Sequence, residues 1–221
     1  MLWIAASLFF LWCAFREVRA SLVAPPGFDL PRPVYKPYLA IVLALAALFA
    51  WPPVHTWYFE RFLSEKATEL AEGHRATVHC NTVFDTMLDP EMLAAGHANP
   101  KTGKIALQHP WCDRLSSYLR HPDRASEEEL VSLGMFTHES MHVRGELNEA
   151  RTECEAVQRN YRAARLLGVP DDVASRNALD YYNLYKRRAG MGILARSYYS
   201  DQCAPGKALD EHLEDSTWST Y

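Results

Sequence analysis

Apolar positions are concentrated in two runs near the N-terminus and then give way to periodic stripes. The first run, residues 2–15, carries no charge, and the second, residues 38–59, continues from Trp51 through Pro52, Pro53 and Trp57 to Phe59. A bilayer core takes roughly 20 helical residues, a length that the second run meets and the first approaches. Trp and Tyr stand at both ends of the second run, as at a membrane interface. No basic stretch precedes the first run and no small-x-small site follows it closely, so it is expected to remain as an anchor rather than be removed as a signal. Between the runs, Arg16, Arg19, Arg32 and Lys36 outnumber Glu17 and Asp29, and short basic loops are held on the cytoplasmic side. Pro25, Pro26, Pro31, Pro33 and Pro37 predict an extended connector there. The expectation is a membrane anchor region over 1–59, with two hydrophobic helices and a basic cytoplasmic loop, and an extracytoplasmic domain over 60–221 at the cell membrane.

The pattern beyond residue 57 is mainly helical. Phe59, Phe62, Leu63, Ala67 and Leu70 make one stripe on a helix over 57–72. Residues 93–97 and 104–108 flank Asn99-Pro100-Lys101-Thr102-Gly103 and predict a β-hairpin. A helix follows from Pro110 to Arg120. Ser126 with Glu129 is a capping box that opens a further helix to about Arg144, where Gly145 ends it. Asn148 caps the next helix, to Leu167, and Pro170-Asp171 starts another to about Ala189. Past Gly192 the tail reads as irregular and held by Cys203. The fold class is therefore mainly α with a small hairpin.

Composition removes several function classes. The chain has 48% apolar and 23% charged residues, a net charge of −4 and a pI near 6.1, which leaves no basic footprint for nucleic acid. There is no Gly-rich phosphate loop and no solenoid repeat. Cys13 lies in the first run, whereas Cys80, Cys112, Cys154 and Cys203 form an even set in the outer domain, where oxidation pairs them. Of three pairings, Cys80 with Cys112 and Cys154 with Cys203 is favoured because each joins neighbouring segments on either side of the motif region. No pair has the CxxC spacing of a metal site.

Chemistry is concentrated in Thr137-His138-Glu139-Ser140-Met141-His142. A spacing of four puts both imidazoles on one helix face, where they can hold one ion, and offsets Glu139 toward a water on it. With nine histidines in 221 residues, chance places this pattern in only a few chains in a hundred. Zinc needs a third protein ligand, and Gly145 lets the chain turn back to present Asn148-Glu149-Ala150-Arg151-Thr152-Glu153.

At these residues the sequence resembles the gluzincin metallopeptidases, in which HExxH is followed on a later helix by an Asn-Glu-x-x-x-Asp type motif. The resemblance spans roughly 94–155. It implies that His138, His142 and Glu149 bind Zn2+, that Glu139 is the catalytic base, and that Glu153 orients His138. Glu153 and Glu146 remain as other carboxylates for the third position, and the metzincin alternative would place Asn148 there, a poor zinc ligand. The family commonly has an edge strand along which a peptide pairs, for which residues 104–108 are the candidate.

The implied reaction is hydrolysis of a peptide or protein substrate: Glu139 takes the proton of an activated water and passes it to the leaving amine. Tyr161, Tyr198, Tyr199 and His212 are candidate oxyanion donors, with no choice among them. Charged residues around the motif argue against cleavage inside the bilayer. His74, His79, His97, His109 and His121 read as scattered, Tyr181, Tyr182 and Tyr185 as helix packing, and Lys186-Arg187-Arg188 as a helix C-terminus. The alternative function is a non-catalytic, metal-braced envelope binding or assembly module, in a bacterial envelope on either reading. Oligomeric state is not legible.

Overall fold

The computed structural model describes residues 2–23, 32–188 and 197–219. The connector prolines Pro25, Pro26 and Pro31, the helix end at Ala189 and the start of the tail past Gly192 lie outside the described residues. The chain forms two compact units, Met1–Phe59 and Glu60–Tyr221, and is mainly helical with one small three-stranded sheet.

In the first unit, α1 (Leu2–Leu22) contains the first apolar run and continues for two charged turns through Arg16, Glu17 and Arg19. Its uncharged stretch is about 21 Å of helix, short of a core about 30 Å thick. The other helix, α2 (Lys36–Leu70), runs 35 residues through Pro52 and Pro53 and merges the second apolar run with the helix expected over 57–72. Among the described residues it is the one helix long and apolar enough to cross a membrane. Ser7 Oγ donates to the Ala46 carbonyl at 3.0 Å, and Phe10 stacks on Phe49, joining α1 to the first half of α2. The buried Glu17 carboxylate accepts from the Tyr35 N–H and from Arg32, as a charge removed from solvent requires.

In the second unit, β1 (Thr77–Cys80) descends beside α2 and hydrogen-bonds to it at three successive turns. The N–H groups of Ala76, Val78 and Cys80 donate to Thr68 Oγ1 (2.9 Å), Ser64 Oγ (2.8 Å) and Glu60 Oε1 (2.8 Å). After α3 (Val83–Leu88) come β2 (Gly96–Asn99) and β3 (Lys104–Leu107), an antiparallel hairpin around the expected turn, with its first strand at 96–99 rather than the expected 93–97. Gly103 has φ +70°, and a side chain there would strike the Arg75 carbonyl.

The sheet order is β1-β3-β2, with β1 parallel to β3. This corrects the expected substrate-pairing strand: residues 104–107 are paired on both sides, and the free edge belongs to β2. Because Gln108 N–H donates to the Ala95 carbonyl, the alternation of an antiparallel ladder turns the backbone groups of Gly96 and Ala98 away from β3. Four-residue β1 carries too short a pattern to have been assigned from the sequence.

Helices α4 (Trp111–Arg120), α5 (Glu127–Arg144), α6 (Glu149–Leu166) and α7 (Asp171–Arg187) complete the unit, with α5 packed against the other three and against β2. α5 therefore buries more than its apolar residues: Thr137, His138, Glu139 and Ser140 are buried with Leu133, Phe136 and Met141. Ser126 and Glu129 form the capping box, and Gly145 ends α5 at φ +122°. Ser126→Ala is expected to lower unfolding free energy by about 1 kcal/mol, read from the shift of the denaturant midpoint.

Disulfides join Cys80 to Cys112 and Cys154 to Cys203, the favoured pairing. The tail has no regular elements among its described residues and is held to α6 by more than Cys203. Thr217 N–H donates to the Gln158 carbonyl at 2.8 Å, and buried Arg159 grips Glu211 with two bonds of 2.6 and 2.8 Å.

Candidate metal centre

The turn at Gly145 reverses the chain so that α5 and α6 face each other, and Asn148 caps α6 by accepting the Arg151 N–H. One turn of α5 carries His138 and His142, and the first turn of α6 carries Glu149. Their ligand atoms converge: His138 Nε2 lies 3.1 Å from His142 Nε2 and 3.2 Å from Glu149 Oε2, and His142 Nε2 lies 3.5 Å from that oxygen. A tetrahedral zinc with bonds of about 2.0–2.1 Å needs ligand atoms about 3.3 Å apart, so this donor set fits such an ion. Among the described residues it is the cluster that could hold a metal.

The outer ring nitrogens set the tautomers. His142 Nδ1 faces the Glu146 carbonyl at 2.8 Å; because a carbonyl only accepts, Nδ1 carries the proton and Nε2 turns a lone pair inward. His138 Nδ1 donates to Glu153 Oε2 at 2.8 Å, and Glu153 Oε1 accepts from Tyr181 Oη at 2.7 Å and Arg188 at 2.6 Å. Such outer partners fix the orientation of a ligating imidazole.

Charge follows from this packing. Burial opposes a charged His138, but the Glu149 and Glu153 carboxylates overcome it and hold its pKa up at about 10. Metal binding at such a site is coupled to release of that proton. Burial also works against the ionised Glu153, yet His138 and Arg188 keep its pKa low. Glu139 is pushed up to about 7, chiefly by burial, with His138 pulling the other way. Its Oε2 is buried and has no hydrogen-bond partner among the described residues.

These groups line an open cleft of about 820 Å³ whose other wall is Ala94, Ala95, Gly96, His97 and Ala98. A Cβ at Gly96 would sit 3.1 Å from the Ala106 carbonyl oxygen and 3.4 Å from Glu139 Cγ, so glycine lets the strand lie close to the helix at that carboxylate.

Of the other carboxylates considered for the third position, Glu153 stands behind His138, while Glu146 accepts the N–H groups of Leu147 and Asn148. Asn148 is occupied by its cap. Among the candidate oxyanion donors, Tyr198 lines the cleft, with its ring 5.7 Å from that of His138. Tyr161 is bonded to Asp171, Tyr199 packs on Tyr185, and His212 is turned toward Asp210.

Three residues were missed. Tyr181 and Arg188 had ordinary packing and dipole readings, and His97 was one of several scattered histidines, but it lies in the cleft with Nε2 3.0 Å from Asp89. No signal in the sequence singles them out, because each acts through residues distant along the chain.

Comparison with protein-family models, curated proteins and solved structures gave no match to this chain.

Proposed function

We propose that this protein is a membrane-anchored, zinc-dependent peptidase of gluzincin type that hydrolyses peptide bonds at the outer face of the cell membrane. The observation that carries the reading is the convergence of His138, His142 and Glu149 in an open cleft, with Glu139 alongside, its Oε2 without a hydrogen-bond partner among the described residues. A structural zinc site is ordinarily closed by four protein ligands, whereas three ligands in an open cleft leave a position for water. Bound zinc supplies Lewis acidity and lowers the pKa of a water molecule. Glu139 accepts a proton from the attacking water and returns it to the leaving amine. The outward backbone groups of Gly96 and Ala98 pair an extended peptide, and Tyr198 faces its carbonyl as a hydrogen-bond donor.

For localisation, α2 is the membrane span, α1 is a second anchor helix, and Arg16, Arg19, Arg32 and Lys36 hold the intervening segment in the cytoplasm. The two disulfides of the second unit suit an oxidising exterior.

The test is metal analysis of the purified full chain after dialysis against zinc. We expect about one zinc per chain in the wild type and a large loss of bound zinc in His142→Ala and Glu149→Ala. A folded chain that stays ion-free in excess zinc would overturn the assignment.

A further inference from the structure

We infer that α3 and the loop after it form a second, shallow membrane contact that sets the mouth of the cleft against the lipid surface. The inference rests on the membrane-anchored reading above and narrows the substrate to polypeptide segments lying close to the bilayer.

The observation is a short helix whose apolar face is exposed. Val83, Phe84, Met87 and Leu88 share one face of α3 by their helical spacing, and all four point into solvent. The opposite face carries Asp85, which closes the capping box with Thr82, and Thr86, whose Oγ1 accepts the His109 N–H at 2.9 Å. Thr86 is thus the half-buried residue that ties α3 to the rest of the unit, while Asp85 is itself exposed. Met92 and Leu93, a few residues further along the chain, are exposed as well, and exposure of these six side chains runs from 52% to 94%. A soluble surface seldom leaves such a contiguous group of large apolar side chains uncovered.

The position of the patch identifies what covers it. The hydrogen bonds from Ala76, Val78 and Cys80 reach Thr68, Ser64 and then Glu60, so β1 steps back along α2 one turn at a time to the residue that follows its apolar stretch. Glu60 is the first residue beyond the apolar stretch of α2, and α3 begins three residues after Cys80. α3 therefore starts three residues after a backbone group that is bonded to the residue following the apolar stretch of α2. Helices of this kind bury their apolar face about 5–10 Å into the headgroup and acyl boundary. Residues 82–93 contain Asp85, Asp89 and Glu91 but no Lys or Arg, so the contact is apolar and needs no anionic lipid. Leu93 belongs both to the patch and to the cleft wall, which carries the lipid-facing surface up to the metal ligands.

The test is photo-crosslinking of the full chain in phosphatidylcholine nanodiscs. Phe84→p-benzoylphenylalanine and Met87→p-benzoylphenylalanine are compared with the same substitution at Leu48, within the α2 span, and at Glu69. Glu69 lies about 13 Å further along α2 from Glu60. The expected result is lipid adducts at 48, 84 and 87 that exceed those at 69 several-fold. Adducts at 48 with only the level of 69 at 84 and 87, or adducts there to protein instead of lipid, overturn the inference and leave the anchor intact. Absence of lipid adducts at 48 overturns the anchor, and the inference falls with it.

Discussion

Replacing Glu139 with glutamine is expected to reduce peptide hydrolysis by about 10²–10⁴-fold while leaving zinc content and the melting curve close to those of the parent. Glutamine keeps the size and one oxygen of the side chain, but it neither takes a proton from water nor returns one to an amine. Zinc content should hold because the converging atoms belong to His138, His142 and Glu149. Stability should change little or rise, because a buried carboxylate oxygen without a hydrogen-bond partner among the described residues is unfavourable in the folded chain. The measurement is turnover of a quenched peptide library, alongside zinc analysis of the same samples. If the ion only braces the fold, parent and variant will be equally inactive, and the peptidase reading is lost.

A second large effect is expected at Gly134, one helical turn before His138. By propensity alone, alanine inside a helix is favoured over glycine by about 1 kcal/mol. Here the added methyl would lie 2.1 Å from Cζ and 2.2 Å from Oη of Tyr181, well inside contact distance. Overpacking of this kind costs about 1–3 kcal/mol, so the steric effect outweighs propensity and Gly134→Ala is expected to destabilise. Tyr181 must withdraw, and its hydroxyl then leaves Glu153, which orients His138. Loss of such an outer partner typically weakens metal affinity by about 10–100-fold. Calorimetric zinc titration and thermal melting should both register the change. Tyr181→Phe should weaken zinc binding while sparing most of the packing. A stabilised Gly134→Ala with unchanged affinity would show that the α5–α7 contact is not as close as described.

The sequence carried the local parts of this account. A capping box at Ser126, a glycine at 145 and an asparagine cap at 148 are signals read within a few residues, and the structure has all three ends where they were expected. The hairpin was legible for the same reason: Asn99 to Gly103 is a turn by composition. The order of strands was not. That β3 lies in the centre depends on β1 joining it in parallel from residues 77–80, and nothing in residues 104–107 announces a second neighbour. In the same way, Leu2 to Phe15 and the charged turns that follow are one helix, and Pro52-Pro53 does not divide the other, because local breaker signals give way when the surrounding segment is strongly helical.

His138, Glu139 and His142 could be proposed from the chain alone because a spacing of four residues is itself a geometry: one turn returns a side chain to the same face. The turn expected at Gly145 only brought an acidic segment back to that face, and the choice of Glu149 over Glu146 and Glu153 was what the gluzincin resemblance implied. What only tertiary structure decided is everything that reaches this site from far along the chain. Tyr181, Arg188 and Tyr198 arrive on later segments, Gly96 brings a strand against Glu139, and β1 sets the Cys80 N–H against Glu60. Each depends on how whole elements pack, and the packing of side chains in three dimensions leaves no periodic trace in one.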